Sequence, residues 1–371
     1  MTGSARWSPD GVTRDGAPGR GLRVGVCGAS HWHLPRHAQN LQAAGATFVA
    51  VCDPDPEIAR RWGAELGCAV LPGVAEVAAA GPDLVLALGR VSDMAAQARL
   101  LLEAGIPLLA EKPMGLRGAE VAQVAAVARE RRSWVSVALV QRYDPLWALL
   151  DELRSGGGAG GAGGGTDRLG AIAHFHMRIV NGPPQRYAAW GSGWMLRPQT
   201  AGGGALLNLG IHGVDAFLHL TGEAPAVAGA ALSYAAHRQE VEDFGTVVLR
   251  APGGAVGTVE AGYTYPDASA GMTRSGDNEV RVGASEAYLI ARDADVWRVT
   301  AGGEEVLSGA RGGDRYRDWV FDSLARLRDG RPPLVGVEDC LAAVQVLDGA
   351  YAAAEVGDTG RGGAPGAGPV K

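Results

Sequence analysis

The sequence predicts an α/β chain in two parts: an N-terminal doubly wound parallel sheet, then a C-terminal α+β domain with an open, mostly antiparallel sheet. Three observations predict it. Over 22–140, short apolar or β-branched runs alternate with helix-period segments, the pattern of βαβ units. From Arg142 onward, longer segments of alternating character follow one another across turns such as "APGGA", the pattern of an antiparallel sheet with one open face. The 371 residues suffice for two cores, so a cleft between them is where chemistry is expected.

The first twenty residues, 1–20, are rich in Gly, Pro and Arg without periodicity and are expected to be a disordered tail. "LRVGVC" then reads as a buried strand, followed by a helix to about residue 44, the strand "TFVAVC", and a helix over 56–66 that opens on a proline. "LVLAL", a helix over 92–104, "IPLLA", a helix over 117–130 and "VSVALV" complete a dinucleotide-binding domain over 21–142. The second domain, 143–356, begins with a helix over 145–154. A flexible glycine tract over 155–165 follows, then "AIAHFHMRIV", "VAGAALSYAA", "DFGTVVLRA", "AVGTVEAGYTY", "NEVRVGASEAYLIA" and "DVWRVTAG" as strands. A helix over about 339–354 closes it, and 357–371 is expected to be a second disordered tail.

Composition narrows the partners. With 34 basic and 40 acidic residues the chain is mildly acidic and carries no basic run interleaved with aromatics, which argues against nucleic acid or an anionic membrane surface. A small molecule becomes the expected ligand. Cys27, Cys52, Cys68 and Cys340 are scattered without CxxC pairing, so neither a zinc framework nor a disulfide framework is expected. No apolar run reaches about 18 residues, and the N-terminus lacks an apolar leader segment, so a cytoplasmic protein is expected.

Three motifs carry chemistry. "GASHWH" after the first strand has Gly28 in the place of a dinucleotide-loop glycine, but Ser30 and His33 stand where the second and third glycines usually are. Asp53 ends the next strand, where a carboxylate accepts from an adenosine ribose hydroxyl and repels a 2′-phosphate; NAD is therefore expected over NADP, with NADP possible. The same aspartate also suits an Asx turn ahead of the helix at Pro56. Ser30 is tolerable because pyrophosphate is held by backbone N–H groups at a helix N-terminus. His31 and His33 would line that pocket. His33 and His37, four apart, are the alternative metal pair, yet no carboxylate or cysteine stands at ligand spacing, and no metal is expected. "EKP", Glu111, Lys112 and Pro113, closes a strand at the carboxyl edge, where the lysine would polarise a substrate oxygen. In "GGGALLNLGIHGVDAFLHL" three glycines lead into a helix with Asn208, His212 and Asp215 near one stripe, and His212 suits a general base.

Together with "QRYDP", "WMLRPQTAGGG" and the closing "YRDWVFDSLARLRDGRPPLVGVEDC", these motifs resemble the Gfo/Idh/MocA family of nicotinamide-dependent oxidoreductases over nearly all of 22–357. The resemblance implies a Rossmann domain followed by an α/β domain whose open sheet forms the oligomer interface, here a homodimer or homotetramer. It implies that Lys112 is the catalytic lysine and His212 the acid/base histidine, with Asn208 in a place most often held by aspartate. The chain departs from the family pattern in its loop, in Leu88-Gly89 where Thr-Pro is usual, and in Asp93 where a histidine often follows. Leu88, Glu111, Lys112, Pro113 and Arg142 join the expected cofactor contacts, and Arg178, Tyr187, Trp194, Arg197 and Asp215 the expected substrate contacts. The expected activity is interconversion of a secondary alcohol and a ketone on a sugar, polyol or cyclitol. The alternatives are an NAD-dependent glycoside hydrolase that oxidises its substrate transiently, and a nucleotide-sensing protein without turnover.

Overall fold

A computed structural model describes residues 17–155, 167–266, 276–309 and 313–359. The first part runs β1 (Arg23–Cys27), α1 (Leu34–Ala43), β2 (Thr47–Cys52), α2 (Pro56–Leu66), β3 (Ala69–Val70), α3 (Val74–Ala79), β4 (Leu84–Ala87), α4 (Val91–Glu103), β5 (Leu108–Ala110), α5 (Gly118–Arg131) and β6 (Val135–Val137). All six strands pair in parallel in the order β3-β2-β1-β4-β5-β6, a doubly wound sheet whose order reverses at β1. The strands read as continuous apolar runs because helices cover both faces. Helix α2 shows how local chemistry sets the bounds: Asp55 caps it by accepting from the N–H groups of Glu57 and Ile58, Pro56 opens it, and Gly67 ends it at φ +65°.

The second part continues with α6 (Pro145–Ser155), β7 (Ile172–Asn181), α7 (Gln185–Ala189), α8 (Pro198–Ala201), a π-helical turn (Leu206–Gly210) and α9 (Ile211–Thr221). Strands β8 (Ala226–Ser233), β9 (Phe244–Arg250), β10 (Val256–Gly262), β11 (Gly276–Ala284), β12 (Tyr288–Arg292), β13 (Asp295–Thr300) and β14 (Gly303–Ser308) then complete an eight-stranded sheet ordered β14-β13-β12-β11-β7-β10-β9-β8. Every pairing is antiparallel except β10 with β7. Phe175, Met177 and Ile179 of β7 face the core. Helix α9 lies on that face, and Gly213 and Gly257 let it come close: a Cβ on either would stand 2.6 Å from Val259 or 2.8 Å from the Phe217 ring.

Helices α10 (Arg315–Arg328) and α11 (Val337–Thr359) end the described chain. Helix α10 returns to the first sheet, where Trp319, Val320 and Leu324 join the core formed by Val24, Leu34 and Leu86. Helix α11 packs on α5, α9 and β8 and so ties both sheets together.

Several expectations are corrected. Residues 17–20, assigned to a tail, form a turn in which the Gly19 N–H donates to the Ala44 carbonyl at 2.8 Å; 1–16 lie outside the described residues. The last helix reaches Thr359, past the expected tail boundary, while 360–371 and most of the glycine tract, 156–166, lie outside. "NEVRVGASEAYLIA" is two strands, because the backbone turns at Ser285 and Glu286, which donate to Ala171 and Leu169. Helix α10 was not anticipated as an element of the first core; its apolar face is specified only by what it meets there.

Candidate active site

The site forms at the carboxyl edge of the six-stranded sheet, where β1, β2, β4 and β5 end and α9 leans in from the second part. At β1, Gly28 has φ +88°, and a Cβ there would stand 2.3 Å from the Leu88 carbonyl oxygen. Only glycine fits, but the reason is the neighbouring backbone. Leu88 itself is buried, and its carbonyl backs the loop. Beside it opens a cavity of about 400 Å³ lined by Gly28, Asp53, Gly73, Gly89, Arg90 and Asp93.

Asp53 makes the expected turn and also lines the cavity. One carboxylate oxygen accepts from the Ser30 N–H at 2.7 Å and the other from the Asp55 N–H at 2.9 Å, an Asx turn that also braces the loop. A carboxylate offers about four acceptor positions, so capacity remains toward the cavity. Arg90, which lines the same cavity, keeps a buried Nε–H without a hydrogen-bond partner. An acceptor carboxylate and an unsatisfied guanidinium N–H across one cavity fit the ribose and phosphate ends of a dinucleotide.

The loop histidines turn away from that cavity. His33 Nδ1 and His37 Nε2 both lie 2.7 Å from Glu111 Oε1, and His33 Nε2 lies 3.1 Å from the Tyr316 hydroxyl. The His33 N–H donates to His31 Nδ1 at 3.1 Å. Burial pushes the Glu111 carboxyl up, but the surrounding histidines overrule it and hold it well below its ordinary value; burial also lowers His31 and His33. Donor atoms of His31, His33 and Glu111 gather within 4.8 Å, the nearest approach to a metal-ligand set among the described residues. Hydrogen bonding already accounts for that cluster, since His33 and Glu111 bind each other. His33 thus exchanges the packing role of a third glycine for a tie between loop, "EKP" strand and α10.

Lys112 is buried, and its Nζ donates to both the Asn208 carbonyl and Asn208 Oδ1 at 2.8 Å. Asn208 Nδ2 donates to the hydroxyls of Tyr187 and Tyr263 at 2.8 and 2.9 Å. The amide is therefore committed to positioning the lysine, and one of the three ammonium protons remains for a ligand. The π-helical turn around Asn208 widens the backbone just before α9, a distortion common where helices carry function. His212 follows in the first turn of α9, 5% exposed, with Nδ1 lacking a partner. Burial, then the Lys112 charge, holds it well below its usual value, so the ring is neutral near pH 7. Burial lowers Lys112 too.

Other expected residues separate. Asp215 faces Arg142, 3.7 Å from its Nε, and Arg142 lies 3.6 Å from Asp339 of α11. The three form an ion-pair chain between the parts, and Arg142 Nη1 stays buried without a hydrogen-bond partner. Burial pushes Asp215 up to about 7 against the pull of Arg142. Arg178 sits on the opposite face of β7, paired with Glu260 and Asp277, and Arg197 is exposed ahead of α8; neither reaches the site. Tyr187 does reach it through Asn208, and Trp32 of the loop packs on Tyr187 and Trp194 at 4.8 and 5.8 Å between ring centroids. Tyr263, Tyr316, Arg90 and Arg315 were missed. Arg315 donates to Gln141 and Asp144 and adds to the positive field on His212. "QRYDP" was singled out, but nothing local in the chain pairs it with residue 315.

Residues 22–139 match a family model described as "Oxidoreductase family, NAD-binding Rossmann fold", and 166–290 match "GFO/IDH/MocA C-terminal domain". The UDP-N-acetylglucosamine 3-dehydrogenase of Acidithiobacillus ferrooxidans is 27% identical over 207 residues, 55% of this chain and 56% of that one. Inositol 2-dehydrogenase 1 of Saccharopolyspora erythraea is 32% identical over 146 residues, 38% and 43% of the two chains. The chain spans about half the length of the curated relatives it matches. The solved structure of the WlbA dehydrogenase from Bordetella pertussis, in complex with NADH and UDP-GlcNAcA, superposes with a TM-score of 0.73 at 19% identity, covering 91% of this chain and 97% of that one. No helix among the described residues is long and apolar enough to cross a membrane.

Proposed function

Because this chain belongs to the Gfo/Idh/MocA family of oxidoreductases, we propose that it interconverts a secondary alcohol and a ketone on a sugar, polyol or cyclitol, using NAD in preference to NADP. The observation that carries this is the Lys112–Asn208 contact beside a buried, neutral His212 at the carboxyl edge of a dinucleotide-type sheet. A bound nicotinamide supplies the hydride acceptor or donor. Gly28, Asp53, Gly89 and Arg90 would hold the dinucleotide, with the Asp53 carboxylate accepting from the adenosine ribose and disfavouring a 2′-phosphate.

The protein's own residues would do the rest. Lys112, aimed by Asn208, donates its remaining N–H to the substrate oxygen and stabilises charge developing there. His212 accepts the hydroxyl proton during oxidation and returns it during reduction. Tyr187 and Tyr263 hold Asn208 so that the lysine keeps its aim. The outer face of the eight-stranded sheet, with Arg178, Glu260 and Glu279, would pair copies into a homodimer or homotetramer.

The test is twofold: titration with NADH and NADPH by nicotinamide fluorescence, and an absorbance screen with NAD against a polyol, sugar and cyclitol panel. Binding of NADH with turnover of a panel member is expected, and Lys112→Ala and His212→Ala should each lower kcat/KM by about 10²–10⁴-fold. Full turnover in either variant overturns these roles; glycoside cleavage without net NADH selects the hydrolase reading.

A further inference from the structure

A second cavity, of about 350 Å³, is walled by Trp32, Trp62 and Trp190 with Ile58, His31 and Arg61. Its tryptophans come from three separate places: the loop after β1, helix α2, and the residue following α7. Trp190 is 51% exposed, with the Arg186 guanidinium 5.4 Å from its ring centroid. Trp62 is 5% exposed, yet its indole N–H has no partner. A buried donor without an acceptor is unfavourable, and the ring that carries it is part of the cavity wall. No carboxylate contributes to the lining, whereas Arg61 and His31 do. The chemistry favours a flat, electron-rich ring bearing an acceptor.

The cavity also adjoins the reacting groups. Trp32 meets Tyr187 edge-on at 4.8 Å, and the Tyr187 hydroxyl accepts from Asn208, which aims Lys112. Contacts between side chains thus run without a break from this wall to the lysine. The loop there is fastened to the second part by the Ser192 hydroxyl, which donates to the Ser30 carbonyl at 2.6 Å, so the wall holds its shape.

We propose that this cavity binds an aromatic or heteroaromatic ring carried by the substrate next to the hydroxyl-bearing portion, an inference that rests on the dehydrogenase reading above. Stacking on Trp190 and Trp32 would supply most of the binding, with the Trp62 N–H choosing rings that carry an acceptor.

The experiment compares phenyl β-D-glucopyranoside with methyl β-D-glucopyranoside on the full chain, by saturation-transfer NMR with and without saturating NADH. The phenyl compound should bind about tenfold more tightly. Saturation should concentrate on its ring protons, and NADH should leave this unchanged. Trp190→Ala should abolish the preference, and Trp62→Phe, which keeps an aromatic ring but removes the N–H, should shrink it for 4-methoxyphenyl β-D-glucopyranoside. Equal binding of the two glucosides, an unaltered preference in both variants, or displacement of the phenyl group by NADH overturns the proposal; displacement would give the cavity to the adenine ring. Failure of NADH itself to bind is a separate outcome: it sinks the dehydrogenase reading and leaves the ring preference measurable.

Discussion

His212 and Asn208 are four residues apart, yet the structure gives them different kinds of work. The histidine is buried beside a cation, and both circumstances favour its neutral form. In alcohol oxidation, where the ring must accept a proton, kcat/KM should stay level from neutral pH down past 6.5, the ordinary histidine value, before falling. Asn208→Asp places a carboxylate against Lys112 and near His212, which should move that falling limb to higher pH; a pH profile of the two proteins checks it. Asp215 supplies the opposite sign. Its pKa is raised from 3.8 to about 7, so the folded state binds the proton more tightly than the unfolded chain does. Its contribution is present below pH 4 and lost as pH rises through about 7. Relative to Asp215→Asn, the native chain should therefore lose stability across that window, as measured by urea unfolding at several pH values.

At the scale of elements, the segment Gly202 to Gly210 shows how sequence signals acquire their meaning. Three successive glycines suggest a ligand cradle, but the contacts are internal. A Cβ on Gly203 would stand 2.1 Å from the Tyr351 hydroxyl, and one on Gly204 2.2 Å from the Glu242 carbonyl. Glu242 accepts from the Gly204 and Leu206 N–H groups and from the Tyr351 hydroxyl, so one buried carboxylate caps the helical run that carries Asn208 and His212. Gly204→Ala should force this packing apart, lowering stability by about 1–3 kcal/mol and kcat with it, measured by thermal unfolding and turnover together. The alternation of strands and helices over 22–140 was legible because each element buries a face against its immediate neighbours. Helix α10 was not, since the partners of Trp319 lie in β6 and α1: its Nε1–H donates to Ser136, and its ring meets His37 at 5.1 Å.

For the whole molecule, chain return decides the site. Loop, "EKP" strand and α10 meet at Glu111, His33, His37 and Tyr316, drawn from residues 33 to 316. Arg142, which follows β6, Asp215 of α9 and Asp339 of α11 make a second seam. On the outer face of the large sheet, Arg178 joins Glu260 and Asp277 while Arg281 joins Glu279, a charged surface suited to a second copy. Light scattering should report a dimer or tetramer, and Arg178→Glu, which sets like charges against Glu260, should shift it toward monomer without abolishing nucleotide binding; a monomeric native chain would refute that assembly.

Sequence alone determined the alternation of strands and helices over 22–140 apart from β3 and α3, the carboxyl-edge position of Gly28, Asp53 and Lys112, and the helix bearing His212, because period, punctuation and strand ends are local properties of a chain. Only tertiary structure decided what those residues touch. It made Asn208 a holder of Lys112, took Arg178 to the far face of a strand, and set His33 of "GASHWH" on Glu111 while His31 accepts from the His33 N–H. A hydrogen bond is a contact between groups whose separation along the chain sets no limit on their distance in space, and no local pattern records it.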